Sequence, residues 1–293
     1  MPLVNSLPLI RHAYDHGYAI PSFGVWSLEE MEVILRVAQK LQAPVLLMAG
    51  PGEFPLNSPE NLGAAARWHS ERCDVPFALH LDHGSSVAEV EQCASAGFTS
   101  LMLDQSALPF EENIAQTTQA AAVAARFGLP LEGELGSVGR ADDTTVEGGH
   151  ESSLTDPHLA AQFAERTGID LLAVSIGNAH GLYTVLPKFD FERLAIIRRT
   201  VGVPLVLHGG SGTPEEDLKR AIGLGMAKVN VASELCRAYQ TEYLKQYETK
   251  KPWLPIALAA AYQAMAPVVE KWIHRTGGVG QAKAVLAKAA VPA

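Results

Sequence analysis

A chain of 293 residues, 47% hydrophobic and 19% charged, is long enough to bury a substantial core. Its formal charge of −9 argues against nucleic acid or an anionic membrane surface as a general partner, although backbone amides and a local cation can still hold a phosphate. The three cysteines (Cys73, Cys93, Cys236) are widely spaced, the N-terminus lacks a signal-like apolar run, and no uncharged apolar stretch reaches about 18 residues; the expectation is a reduced, cytoplasmic protein without a disulfide framework or membrane span.

From the N-terminus onward, short apolar runs alternate with longer amphipathic ones. Strand patterns fall at 19–25, 44–49, 76–82, 98–104, 130–135, 170–176, 203–208 and 227–231, and helical periodicity follows each at 27–42, 59–72, 86–96, 110–127, 156–167, 190–200, 214–223 and 233–248. Pro44, Pro76, Pro130 and Pro204 stand at strand entries, where the missing N–H costs little and the preceding helix is stopped. Near-continuous apolar strands signal a parallel sheet buried on both faces, and eight strand–helix units are the number that closes a barrel. The reading is an α/β fold: a single (β/α)8 TIM barrel over 1–293, with extra C-terminal helices from about 250 to 293. A doubly wound open sheet is the alternative, disfavoured because no GxGxxG follows the first strand.

In such a barrel the chemistry sits at the C-terminal ends of the strands. Those ends carry His80-Leu81-Asp82-His83-Gly84, Asp104, Glu132-Gly133-Glu134, Gly177-Asn178-Ala179-His180-Gly181, His208-Gly209-Gly210-Ser211-Gly212 and Asn230-Val231-Ala232-Ser233. Three histidines on separate strands, His83, His180 and His208, each next to glycine, suit Zn²⁺ and leave a coordination position open for substrate. Asp82, beside a ligand, reads as a general acid/base or as a carboxylate orienting an imidazole. Asp104 and Glu134 read as orienting groups or as a second, weaker cation site. The glycine-rich turns after the seventh and eighth strands have the make-up of a phosphate cradle, with Thr213 and Pro214 expected to open the next helix. Metal, carboxylate and phosphate site together point to a reversible aldol reaction.

In HLDHG, LEGELG, SIGNAHG, VLHGGSG and KVNVAS, taken in this order from about residue 2 to residue 248, the chain closely resembles the class II ketose-bisphosphate aldolases, including tagatose- and fructose-bisphosphate aldolases. The resemblance implies zinc at His83, His180 and His208, Asp82 as proton donor and a secondary metal position near Asp104 and Glu134. It implies dihydroxyacetone phosphate at Gly181, at Gly209, Gly210 and Ser211, and at Asn230, Val231, Ala232 and Ser233. A monovalent cation (Na⁺ or K⁺) near these carbonyls and a homodimeric or homotetrameric assembly, through helix 110–127 and the C-terminal region, are also implied.

Three departures concern the other half of the substrate. Gly24 stands where many relatives have Asn, Arg140 replaces a loop glycine, and Tyr262 aligns with a basic residue that grips a distal phosphate across a subunit interface. The expected substrate is therefore a ketose 1-phosphate whose far end is uncharged or carries another anion met by Arg140; an exposed loop cation is the plainer role for Arg140. The segment 139–153, with Glu147, reads equally as an active-site loop or a solvated linker. A Schiff-base aldolase using Lys228 or Lys188, a zinc hydrolase and a non-catalytic barrel subunit are the competing functions.

Overall fold

The structure, a computed structural model, describes residues 2–142 and 152–289. The elements run α1 (Ser6–His16), β1 (Ile20–Gly24), α2 (Leu28–Leu41), β2 (Val45–Ala49), α3 (Pro59–Ser70), β3 (Phe77–Leu81), α4 (Val87–Ala96), β4 (Leu101–Leu103) and α5 (Phe110–Arg126). They continue β5 (Leu131–Leu135), β6 (Gly139–Arg140), α6 (Pro157–Thr167), β7 (Leu171–Val174), β8 (Ala179–His180), α7 (Phe191–Thr200), β9 (Leu205–Leu207), α8 (Glu215–Gly223) and β10 (Met226–Val231). The chain then closes with α9 (Ser233–Thr249), α10 (Leu254–Gln263), α11 (Ala266–Thr276) and α12 (Ala282–Ala289).

Eight strands form one parallel sheet in the order β3-β2-β1-β10-β9-β7-β5-β4. Parallel bridges from His80 to Ser100 and from Gly84 to Leu103 bring its two edges together, so the sheet is a nearly closed (β/α)8 barrel. All eight expected strands are present. The remaining two, β6 and β8, are a two-residue parallel pair above the barrel that sets Arg140 beside His180.

The helices begin where side chains cap them: the hydroxyls of Ser27, Ser58 and Ser86 and the carboxylates of Asp156 and Asp190 accept from first-turn amides of α2, α3, α4, α6 and α7. One helix is absent from the sequence-based reading. Asn5 caps α1, left-handed Gly17 (φ 71°) ends it, and Leu9, Ile10 and Ala13 are fully buried. These three pack with Ile20, Leu46, Ala78, Leu171, Ala173, Val206 and Ala227.

The period of two in the strands explains the pattern. Phe23, Leu47, Leu79, Leu103, Leu172, Leu207 and Val229 belong to the large apolar cluster shared with the helices. Their sequence neighbours point to the barrel axis. There the lower positions are aliphatic and plugged by α1, whereas higher up the same face carries His80, Asp82, Glu132, Glu134, His208, Lys228 and Asn230, all buried. An interior that turns polar toward one end is what places the site.

At the C-terminus, α11 packs against α2 and β1, and α12 against α1, with Trp272, Val269 and Val285 fully buried. The expected C-terminal helical region is thus present and covers the barrel.

Candidate active site

The three histidines arrive from different elements and meet. His83 follows β3 in a left-handed conformation (φ 46°), uncommon for a side-chain-bearing residue, which breaks the strand's alternation immediately after Asp82. His180 is held in β8, and His208 continues β9. The ring centroids lie 4.5 to 5.7 Å apart, and one ring nitrogen from each lies within 4.8 Å of the other two.

Each flanking carboxylate fixes which nitrogen faces inward. His83 Nδ1 bonds Asp104 Oδ2 at 2.7 Å, so Nε2 is the inward atom. His208 Nε2 bonds Glu132 Oε1 at 2.9 Å, and its buried Nδ1 has no aligned hydrogen bond, lying 3.2 Å from Glu134 Oε2. Burial and the neighbouring His83 push His208 down, yet Glu132 and Glu134 outweigh both and hold it at about 9. Two carboxylates around one buried imidazole call for a cation, and a divalent ion on Nδ1 meets that demand as a proton would. Three imidazoles, each with a ring nitrogen within 4.8 Å of the other two, are a donor set that suits Zn²⁺ and leaves a coordination position to spare.

Asp104 contacts the His83 ring at Nδ1. Burial opposes its ionisation, but the His83 bond and the Ser106 amide (2.9 Å) keep it well below the usual carboxylate range. His83, Asp104 and Glu134 also form a second trio with ligand atoms within 4.8 Å of one another.

Asp82, 3% exposed, points elsewhere: Oδ1 accepts from Asn230 Nδ2 at 2.8 Å and lies 3.8 Å from His80 Nε2. The bond joins the expected proton donor to the expected phosphate loop.

Of that loop, Gly181, Gly209, Ser211, Asn230, Ala232 and Ser233 line one pocket with His180 and Met48. Gly210 and Val231 lie behind it: Val231 is fully buried, and the Gly210 amide bonds Asn230 O at 2.9 Å. The pocket closes on the first residue of the 17-residue α9, so that helix supplies the positive N-terminal end. Here the sequence expectation is corrected. Pro214 occupies the cap of α8 with no side-chain cap, and Thr213 is buried one step earlier, because the chain turns away from the pocket at Gly212. Gly209 (φ 63°) is required where it stands: a Cβ there would lie 1.9 Å from Ala179 O.

A family model described as fructose-bisphosphate aldolase class II matches residues 4–281. The chain belongs to the class II fructose-bisphosphate aldolase family. As an aldolase it is a carbon–carbon lyase, and solved structures agree. The YdjI aldolase of Escherichia coli K12 is 35% identical, with a TM-score of 0.84 and an alignment covering 96% of this chain and 99% of that one. Fructose-bisphosphate aldolase of Campylobacter jejuni is 22% identical with a TM-score of 0.76 over 95% and 97% of the two chains, a likeness of fold.

The aldolase site also contains residues that the sequence reading passed over. Tyr183 donates to Gly209 O (3.1 Å) and accepts from the Ala179 amide (2.9 Å), tying the His180 and His208 loops together. Its burial raises the phenol to about 12, so it stays protonated. Glu234 accepts from the Gly212 amide (2.8 Å) and from Trp272 Nε1 (3.1 Å) and pairs with Lys271, anchoring the glycine-rich turn after β9 to α11. Glu132, named in the sequence at a strand end but given no role there, is gripped through both oxygens by Lys228, expected only as a candidate nucleophile, at 2.9 and 3.2 Å. Aromatic and acidic side chains one turn from a motif carry no sequence signal of their own; only the packing reveals them.

Of the departures, Arg140 is exposed beside His180, and a Cβ on Gly24 would meet Ala232 Cβ at 2.9 Å. Tyr262 packs against Tyr239 at 4.9 Å between ring centroids. Glu147 and most of the 139–153 segment lie outside the described residues.

Proposed function

We propose that this aldolase is zinc-dependent and reversibly cleaves a ketose 1-phosphate or ketose 1,6-bisphosphate to dihydroxyacetone phosphate and an aldehyde. One observation carries the reading: three imidazoles bring ring nitrogens within 4.8 Å of one another, one of them, His180, lines the helix-headed pocket, and the buried Asp82 carboxylate is bonded to Asn230 on that pocket's wall.

Held by His83, His180 and His208, zinc would supply a Lewis acid for the ketone half of the substrate. The pocket at the α9 N-terminus takes the C1 phosphate, and Tyr183 keeps its two sides in register. Asp82 exchanges a proton with the aldehyde oxygen as the C–C bond forms or breaks, and the Asn230 amide aims it. A monovalent cation near the Gly181 and Gly209 carbonyls would assist the phosphate.

A lysine mechanism fits the geometry poorly. Lys228 is fully buried and ion-paired to Glu132, which leaves its amine no lone pair to offer a carbonyl. Lys188 is exposed and faces an outer cavity with Asp190 and Arg220.

For the distal end, Gly24 offers no polar side chain and Tyr262 no charge. We assign a ketose 1-phosphate with an uncharged far end, or with an anion met by Arg140. Steady-state comparison of fructose 1-phosphate, tagatose 1,6-bisphosphate and fructose 1,6-bisphosphate tests this; a clear kcat/KM preference for a bisphosphate would sink it. Homo-oligomeric assembly draws support from the exposed Trp253, Leu254 and Ile256 at the start of α10.

A further inference from the structure

Lys228 poses a physical problem that the reaction does not solve. Its ammonium sits on the barrel axis with no exposure, bound to both oxygens of an equally buried Glu132. Bringing two charges out of water costs several kcal/mol per ion, and well-packed aliphatics of similar volume are often as stable. The level just below, built from Leu46, Leu171, Val206 and Ala227, shows that this barrel can be filled that way.

The pair makes sense through its third member. Glu132 Oε1, one of the two oxygens on Lys228, also accepts from His208 Nε2 at 2.9 Å. The only other charged or titratable group near that carboxylate among the described contacts is His80, whose Nε2 is 3.8 Å away and whose Nδ1 is committed to Ser100 at 2.7 Å. Lys228 is therefore what fixes the Glu132 rotamer, and Glu132, by engaging Nε2, leaves Nδ1 as the ring atom that His208 can offer to the cluster with His83 and His180. The other carboxylate-backed ligand is built differently: Asp104, behind His83, is steadied by a backbone amide.

We propose that Lys228, acting through Glu132, is a positioning residue that pre-sets His208 for metal binding, rather than a nucleophile or a simple core residue. The proposal rests on the zinc reading above. Metal-ligand orienting groups of this kind are commonly worth 10- to 100-fold in affinity.

The test measures zinc affinity by competition with a chromophoric chelator, and the visible spectrum of the Co²⁺-loaded protein, for wild type, Lys228→Met, Glu132→Gln and the double variant. The expected result is a loss of about 10- to 100-fold in zinc affinity for Lys228→Met, altered cobalt bands, and a double variant no weaker than Glu132→Gln alone. Stoichiometric wild-type binding with an unaffected Lys228→Met overturns the inference, as does a Lys228 effect that persists in full without Glu132. A wild-type protein that binds no zinc overturns the functional reading and this inference with it. Lys228→Met strands a buried carboxylate and is expected to fold less well. If it does not fold, the double variant, which removes both charges, carries the test: affinity as low as Glu132→Gln supports the proposal, and wild-type affinity overturns it.

Discussion

Gly209→Ala is the sharpest small perturbation available. A methyl group there would sit 1.9 Å from Ala179 O, where real Cβ contacts begin at about 3.0 Å, so backbone must move by roughly 1 Å. The residue that yields is next to His180, and the one that pushes is next to His208. One substitution therefore displaces two expected metal ligands and the pocket at the α9 N-terminus together. Holding an alanine at φ 63° costs about 1–2 kcal/mol, and overpacking adds about 1–3 kcal/mol. For a chain of this size that corresponds to a fall in Tm of roughly 3–8 °C. Misplacement by about 1 Å costs on the order of 100-fold in rate. Thermal melts and steady-state retro-aldol kinetics measure both effects. Gly202→Ala is the control, with nothing within 4 Å of its added methyl. Wild-type Tm and turnover in Gly209→Ala would refute the claim that this turn is geometrically required.

Two further outcomes are expected. Asp82→Asn keeps the bond partner of Asn230 but cannot carry the proton, so kcat should fall by about 100- to 10,000-fold while zinc content, read by elemental analysis, stays at the wild-type level; loss of zinc instead would make Asp82 an orienting group. Burial, reinforced by the Lys228 charge, pushes His80 down to about 3 from 6.5. The unfolded chain then takes up its proton first, so stability is fully present above pH 6.5 and lost as the pH falls toward 3, with a slope approaching 1.4 kcal/mol per unit, about one proton. His208, with its raised value, acts only above pH 6.5 in the metal-free protein. Urea melts of metal-free wild type and His80→Asn between pH 7 and 5 should therefore differ in slope, and equal slopes would contradict the assignment.

The barrel was legible because strands buried on both faces read as apolar runs with proline at their entrances, and the candidate site because His83, His180 and His208 each stand beside a glycine at a strand end. The helix α1 escaped notice because its apolar residues are few and interrupted by Pro8, although Asn5 and Gly17 mark both of its ends. Thr213 misled because a hydroxyl before proline looks like a cap, while the chain uses α9 to head the pocket. Lys228 could be read only as a candidate nucleophile, since pairing with Glu132 joins residues 96 positions apart. His83 illustrates a limit of periodicity: strand alternation does not foresee the left-handed turn that sets its direction immediately after Asp82.

The central claim is that three histidines hold a zinc ion on which ketose-phosphate cleavage depends. Dihydroxyacetone phosphate release from fructose 1-phosphate and the two bisphosphates, measured for zinc-loaded, EDTA-stripped and zinc-restored protein, tests it most directly. The account predicts activity that disappears on stripping, returns with zinc, and leaves no adduct with borohydride. Full activity in excess EDTA, with covalent trapping by borohydride, would contradict it.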